Sequence, residues 1–167
     1  MPTTRVAYPR ATVAYDENGN VLFRTMALWV LMDTENRGMI LPGKSGVEVE
    51  GILQGGELPT PGALPAGAFS QCLYRTVGYA ELDRNLHMNN TRYLDWVDDL
   101  LPSQFHKEHP ATAITICYLA ETLEGQELAL RWQLSEDGLL SVDTYREKDE
   151  MTGAQERVFA ARIQYQS

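Results

Sequence analysis

The chain has 167 residues, 44% of them hydrophobic, which suffices for one good core or two small ones and is not the composition of a disordered tail. Its net charge of −9 argues against a nucleic-acid partner, because affinity for a phosphate backbone rests on clustered Lys and Arg. The start lacks the apolar core of a secretory signal, and no run approaches the roughly 20 apolar residues of a membrane helix, so we expect no membrane span and a cytoplasmic protein. Cys72 and Cys117 stand far apart with no CxxC spacing and no adjacent histidine. Neither a disulfide framework nor a metal site is indicated, and no cofactor motif is found.

In chain order, residues 11–15 and 21–32 read as a β-hairpin about a turn at Asp16-Glu-Asn-Gly19-Asn. A second turn follows at 33–38. Residues 51–68 are dense in Gly and Pro with few charges, and read as a linker. It would divide an N-terminal unit at 1–50 from a C-terminal unit at 69–167. Residues 71–80 read as a strand. Asn89 or Asn90 can cap a helix over 91–101, with Tyr93, Leu94, Val97, Leu100 and Leu101 on one face and Pro102 as its stop. Four further strands are predicted, at 112–122, 127–134, 139–146 and 156–165. One helix beside antiparallel strands is an α+β pattern. A faint echo between Gly19-to-Trp29 and Gly153-to-Ile163 fits either duplication or two convergent hairpins.

The run 81–90, Glu-Leu-Asp-Arg-Asn-Leu-His-Met-Asn-Asn, holds the candidate chemistry. Asp83, Asn85 and His87 are two apart, so an extended backbone would turn all three to one face. Acceptor, amide and imidazole together are what water activation and carbonyl polarisation need. A polar turn ahead of a helix is the plainer alternative. His106 and His109 are three apart without a third ligand, and read as a solvated loop. Cys117 reads as a core residue in mid-strand. There is no GxSxG elbow and no Gly-rich phosphate loop.

From Val77 to Trp96 the chain resembles the fatty-acyl-ACP thioesterases, the double hotdog enzymes of plants and bacteria. The resemblance rests on Asp83-x-Asn85-x-His87-x-Asn89-Asn90, on the aromatic helix bearing Tyr93 and Trp96, and on the later Tyr118-Leu-Ala-Glu121. Upstream, 15–19 and 27–33 resemble the closing hairpin of that family's first hotdog. The implied fold is a helix wrapped by an antiparallel sheet: one complete hotdog plus a partial first one, expected to lack its N-terminal strand and helix. The implied activity is hydrolysis of the thioester between a fatty acyl chain and acyl carrier protein, in fatty acid biosynthesis.

By the same resemblance the catalytic residues are Asp83, Asn85, His87 and Glu121, with Glu121 as base on water in an acyl-lined cleft. Asn89, Asn90, Tyr93 and Trp96 are expected to bind substrate. Some members carry a cysteine directly after the glutamate; here the position is Thr122, so a cysteine mechanism is not available there. Acyl carrier protein is acidic, as is this chain, so docking would need a local cluster, for which Arg75, Arg84, Arg92 and Lys107 are the candidates. An acyl-CoA thioesterase and a non-catalytic acyl-binding relative are the alternatives. A homo-oligomer is expected, because hotdog units pair through their sheets.

Overall fold

The structure is a computed structural model and describes residues 6–33, 35–36, 38–47, 58–149 and 151–166. The chain divides into two compact units, Met1–Gly62 and Ala63–Ser167. Of the expected linker, 51–57 lie outside the described residues, as do 1–5 and 48–50 of the expected first unit.

In the first unit, β1 (Tyr8–Tyr15) and β2 (Val21–Trp29) form an antiparallel hairpin, and β3 (Leu31–Met32) pairs with β4 (Met39–Ile40). Asp16 builds the hairpin turn: its carboxylate accepts the backbone N–H groups of Asn18 and Asn20 at 2.9 and 2.7 Å. Gly19 closes that turn at φ +83°, a conformation that costs a residue with a Cβ. Gly153, the other half of the sequence echo, is also a left-handed glycine, in the turn between two later strands.

The second unit is one antiparallel sheet with a helix against it. Its strands are β5 (Gln71–Thr76), β6 (Ala111–Tyr118), β7 (Glu127–Leu134), β8 (Leu139–Asp149) and β9 (Ala154–Tyr165), in the order β5-β7-β8-β9-β6. Helix α1 (Asn90–Asp98) is capped by Asn89, whose side chain accepts from Thr91 N–H. The helix ends three residues before its predicted limit. Pro102 then serves as N-cap of a second helix, α2 (Ser103–Glu108). The histidines expected in a solvated loop are therefore on or beside that helix, His106 bonded to the carbonyl of Asp98 and His109 to that of Gln166. Asp99, the C-cap of α1, pairs with Arg75 at 2.8 Å while its side chain stays exposed.

Strand alternation makes the core. Leu128 and Leu130 of β7, Leu140 and Val142 of β8, and Phe159, Ala161 and Ile163 of β9 are all but fully buried, against Tyr93, Trp96 and Val97 of α1. Each such aliphatic or aromatic side chain contributes about 1.5–3 kcal/mol relative to exposure.

Residues 64–69 cross part of the opposite sheet face. Asp143 of β8 is completely buried there and receives Arg157 at 2.7 Å and Arg162 at 3.0 Å. The N–H of Gly67 donates to its second oxygen at 2.8 Å, while the two arginines donate onward to the carbonyls of Leu64 and Pro65. The Gly- and Pro-rich stretch is thus, in its last third, a strap whose backbone bonds to a buried ionic cluster.

Candidate active site

Residues 83–87 form a turn, the plainer of the two readings, and not an extended face. Asp83 Oδ1 accepts the backbone N–H of Asn85 at 2.8 Å and of His87 at 3.3 Å, and Asp83 N–H donates to the carbonyl of His87 at 2.8 Å. The mechanism is the aspartate's ability to bond the backbone two residues on, which competes with strand pairing. Burial alone would raise the Asp83 pKa, but the hydrogen bonds from Asn85 and His87, together with the charge of His87, outweigh it and hold the carboxyl below 3.8. Leu86, between Asn85 and His87, is left-handed at φ 63° and exposed. The turn delivers His87 to a single antiparallel bridge with Leu123.

Glu121 lies past the end of β6, not on it as expected. The chain leaving β6 is gripped from several sides. A bulge in β9, where the register skips Val158, frees that carbonyl to accept the N–H groups of both Leu119 and Ala120, at 2.9 and 3.2 Å. Arg146 of β8 donates to the carbonyl of Glu121 at 2.6 Å. Next along, the carbonyl of Thr122 accepts Met88 N–H at 2.9 Å, and its hydroxyl meets Tyr93 Oη at 2.7 Å.

These supports bring two of the four expected catalytic side chains together. His87 Nε2 stands 3.5 Å from Glu121 Oε2, the imidazole largely covered and the carboxylate 52% exposed. Asn85 remains beside Asp83, its side-chain nitrogen 3.4 Å from Asp83 Oδ2. Asp83 itself is occupied with the turn, so its part is to shape the loop that carries the other two. An imidazole and a water-accessible carboxylate in contact can share a proton and orient a water between them and an electrophile.

Of the expected substrate-binding residues, Asn89 is the helix cap and Asn90 offers its carbonyl to Tyr118 Oη at 3.1 Å. Tyr93 is in the core, its ring stacked on Phe159 at 4.7 Å. Trp96 is 5% exposed and edges an open cleft of about 280 Å³ with Arg75, Glu81, Arg92, Asp95 and Asp99. The amides of Thr91 and Arg92 at the start of α1 donate to Asn89, to its side chain and carbonyl respectively. Among the expected docking cations, Arg75 is held by Asp99 and Arg92 by Asp95 at 2.6 Å; Arg84 sits in the 83–87 turn and Lys107 on α2. Sequence reasoning passed over Arg146 and the Val158 bulge, since neither has a local signature.

The family model of the acyl-ACP thioesterase C-terminal domain matches residues 68–167. The chain belongs to the acyl-ACP thioesterase family. The chloroplastic palmitoyl-acyl carrier protein thioesterase of Gossypium hirsutum is 26% identical over 120 residues, which cover 65% of this chain and 28% of that protein. The acyl-ACP thioesterase structure from Bacteroides thetaiotaomicron superposes with a TM-score of 0.83 at 19% identity, over 99% of this chain and 65% of that one. The 12:0-ACP thioesterase from Umbellularia californica gives 0.75 at 20% identity, over 99% and 64%. The chain therefore spans under a third of the curated plant relative. Its fold is the α+β hotdog of this family, as the resemblance implied. In this acyl-ACP thioesterase family member Thr122 is fully buried and bonded to Tyr93, so the position after the glutamate is a packing site.

Proposed function

We propose that this chain hydrolyses the thioester joining a fatty acyl group to acyl carrier protein, releasing free fatty acid in fatty acid biosynthesis. The observation that supports it most directly is the 3.5 Å contact of His87 with Glu121, inside the segment matched to the family's C-terminal domain. Thioester hydrolysis requires a deprotonated water and a partner for the developing oxyanion. Glu121 is the general base, its half-open carboxylate in reach of water and substrate. His87 orients that water and protonates the departing thiolate. The Asn85 amide holds the water or the carbonyl, and Asp83 keeps the turn that presents both.

Docking of the carrier at Arg75, Arg84, Arg92 and Lys107 belongs to the same proposal. There Arg75 and Arg92 exchange their aspartate partners for acidic groups of the carrier. So do acyl contacts at Asn89, Asn90, Tyr93 and Trp96, a cytoplasmic setting and a homo-oligomer. The test is thiol release from palmitoyl- and lauroyl-ACP and from the matching CoA esters, with Glu121→Ala and Asn85→Ala alongside. Turnover of acyl-ACP that falls by about 10²–10⁴-fold in both variants is expected. Faster turnover of the CoA esters would reassign the carrier, and a folded protein inert on all four would sink the hydrolase reading.

A further inference from the structure

We infer that Arg146 is a positioning residue for Glu121, tying the whole 121–126 loop to the sheet so that the carboxylate stays against His87. This rests on Glu121 being the base proposed above. The guanidinium is divided between two tasks. Its Nε and Nη2 donate to Glu156 Oε2, at 2.9 and 2.6 Å, across the β8–β9 pair. Its Nη1 donates to the carbonyl of Glu121 at 2.6 Å and to Gln126 Oε1 at 3.1 Å. Gln126 Oε1 also accepts the N–H of Leu123 at 2.9 Å, so Arg146 holds the beginning and end of the loop directly and its middle through Gln126.

The loop needs such a hold because it runs past the strand ladder. Residue 121 follows the last paired residue of β6, Tyr118, and the next strand starts only at Glu127. Between them the backbone is held by the Val158 carbonyl, by Met88, by the His87 bridge at Leu123, by Val77 at Gly125 and Gln126, and by Arg146. Of these, Arg146 contacts the peptide of Glu121 itself. A planar fork can serve a carboxylate on one side and two oxygens on the other, whereas the three donors of lysine radiate from one compact nitrogen and lack that span and fixed geometry. Glu156 keeps the fork in register, and Arg146 in turn holds the Glu156 carboxyl below its ordinary value despite the opposing effect of burial. The Arg146 side chain is only 20% exposed, which limits competition from water.

The experiment uses the full chain, palmitoyl-ACP as probe and four variants: Arg146→Gln, Arg146→Lys, Glu121→Ala and the Arg146→Gln/Glu121→Ala pair, each checked for folding by circular dichroism. Displacement of a base by about an ångström costs on the order of 10²-fold in rate, so Arg146→Gln is expected to lower kcat about 10- to 100-fold with KM within about twofold. Arg146→Lys recovers part of the loss. Because Arg146 acts through Glu121, the double variant is no slower than Glu121→Ala alone. Should Arg146→Gln not fold, Arg146→Lys combined with Glu121→Ala makes the same comparison. A folded Arg146→Gln with the original kcat, beside a crippled Glu121→Ala, would overturn the inference and leave the general-base reading standing. So would a double variant slower than Glu121→Ala by the full factor of the single one. A fully active Glu121→Ala would instead remove the base reading, and the inference with it.

Discussion

The hydroxyls of Tyr93 and Thr122 meet in the core at 2.7 Å, joining helix α1 to the residue beside Glu121. Burial pushes the Tyr93 phenol up, against smaller opposing effects of the Thr122 hydrogen bond and Arg146, so it stays protonated as a partner. Tyr93→Phe would leave the Thr122 hydroxyl buried without that partner. The expected cost is about 1–3 kcal/mol, read from the urea midpoint of unfolding. An unchanged midpoint would mean that the two hydroxyls do not depend on each other.

The Asp83 turn gives a pH dependence of known sign. Its folded-state pKa lies below 3.8, held there by the amides it accepts. The stabilisation is therefore complete above 3.8 and is lost as pH falls through the lower, folded value. Asp83→Asn keeps an acceptor oxygen but carries no charge. The wild-type chain should be the more stable at neutral pH, and the two should converge in acid. A stability gap that persists undiminished in strong acid would contradict the charge assignment.

Leu86 holds a left-handed backbone with its side chain 66% exposed. A residue with a Cβ gives up about 1–2 kcal/mol in that conformation, while glycine adds unfolded-state freedom worth roughly 0.4–1 kcal/mol. Leu86→Gly is thus expected to stabilise the fold by up to about 1 kcal/mol, because little apolar burial is lost. Thermal unfolding would show it as a raised midpoint; a clear drop would mean that the leucine packs in a way its exposure hides.

The cluster on the outer sheet face makes a stronger prediction. Removing Asp143 leaves Arg157 and Arg162 largely buried with no carboxylate between them. Breaking a buried pair on one side costs about 3–5 kcal/mol, so Asp143→Ala should unfold at much lower denaturant than the parent chain. A loss below about 1 kcal/mol would show that the backbone carbonyls of Leu64 and Pro65 satisfy the arginines unaided.

The legible parts of the chain were those with a local signature. Strands β7, β8 and β9 are runs rich in β-branched and aliphatic residues bounded by turn signals, buried over much of their length, and α1 announces itself by Asn89 and by the spacing of Tyr93 and Val97. The 83–87 run stayed open between two readings because its polar residues at every second place imitate an extended face, while the Asp83 side chain bends the backbone by accepting from it. Helix α2 was hidden by reading Pro102 only as a stop, when the same residue begins the next helix. Contacts that carry Glu121 to His87 come from Arg146, Val158 and Met88, which no short window brings together. The strap was missed for a further reason: its bonds to Arg157 and Arg162 use backbone carbonyls, so its side-chain composition says nothing of them.

That strap changes how the junction before β5 behaves as a place to join chains. With Leu64, Pro65 and Gly67 anchored to β8 and β9, a pull or a rearrangement arriving from upstream meets the Asp143 clasp before it meets the first hydrogen bond of β5. The second unit is thus fastened from Leu64 onward, ahead of its first strand, and a cut between Gly67 and Gln71 would part that fastening from β5.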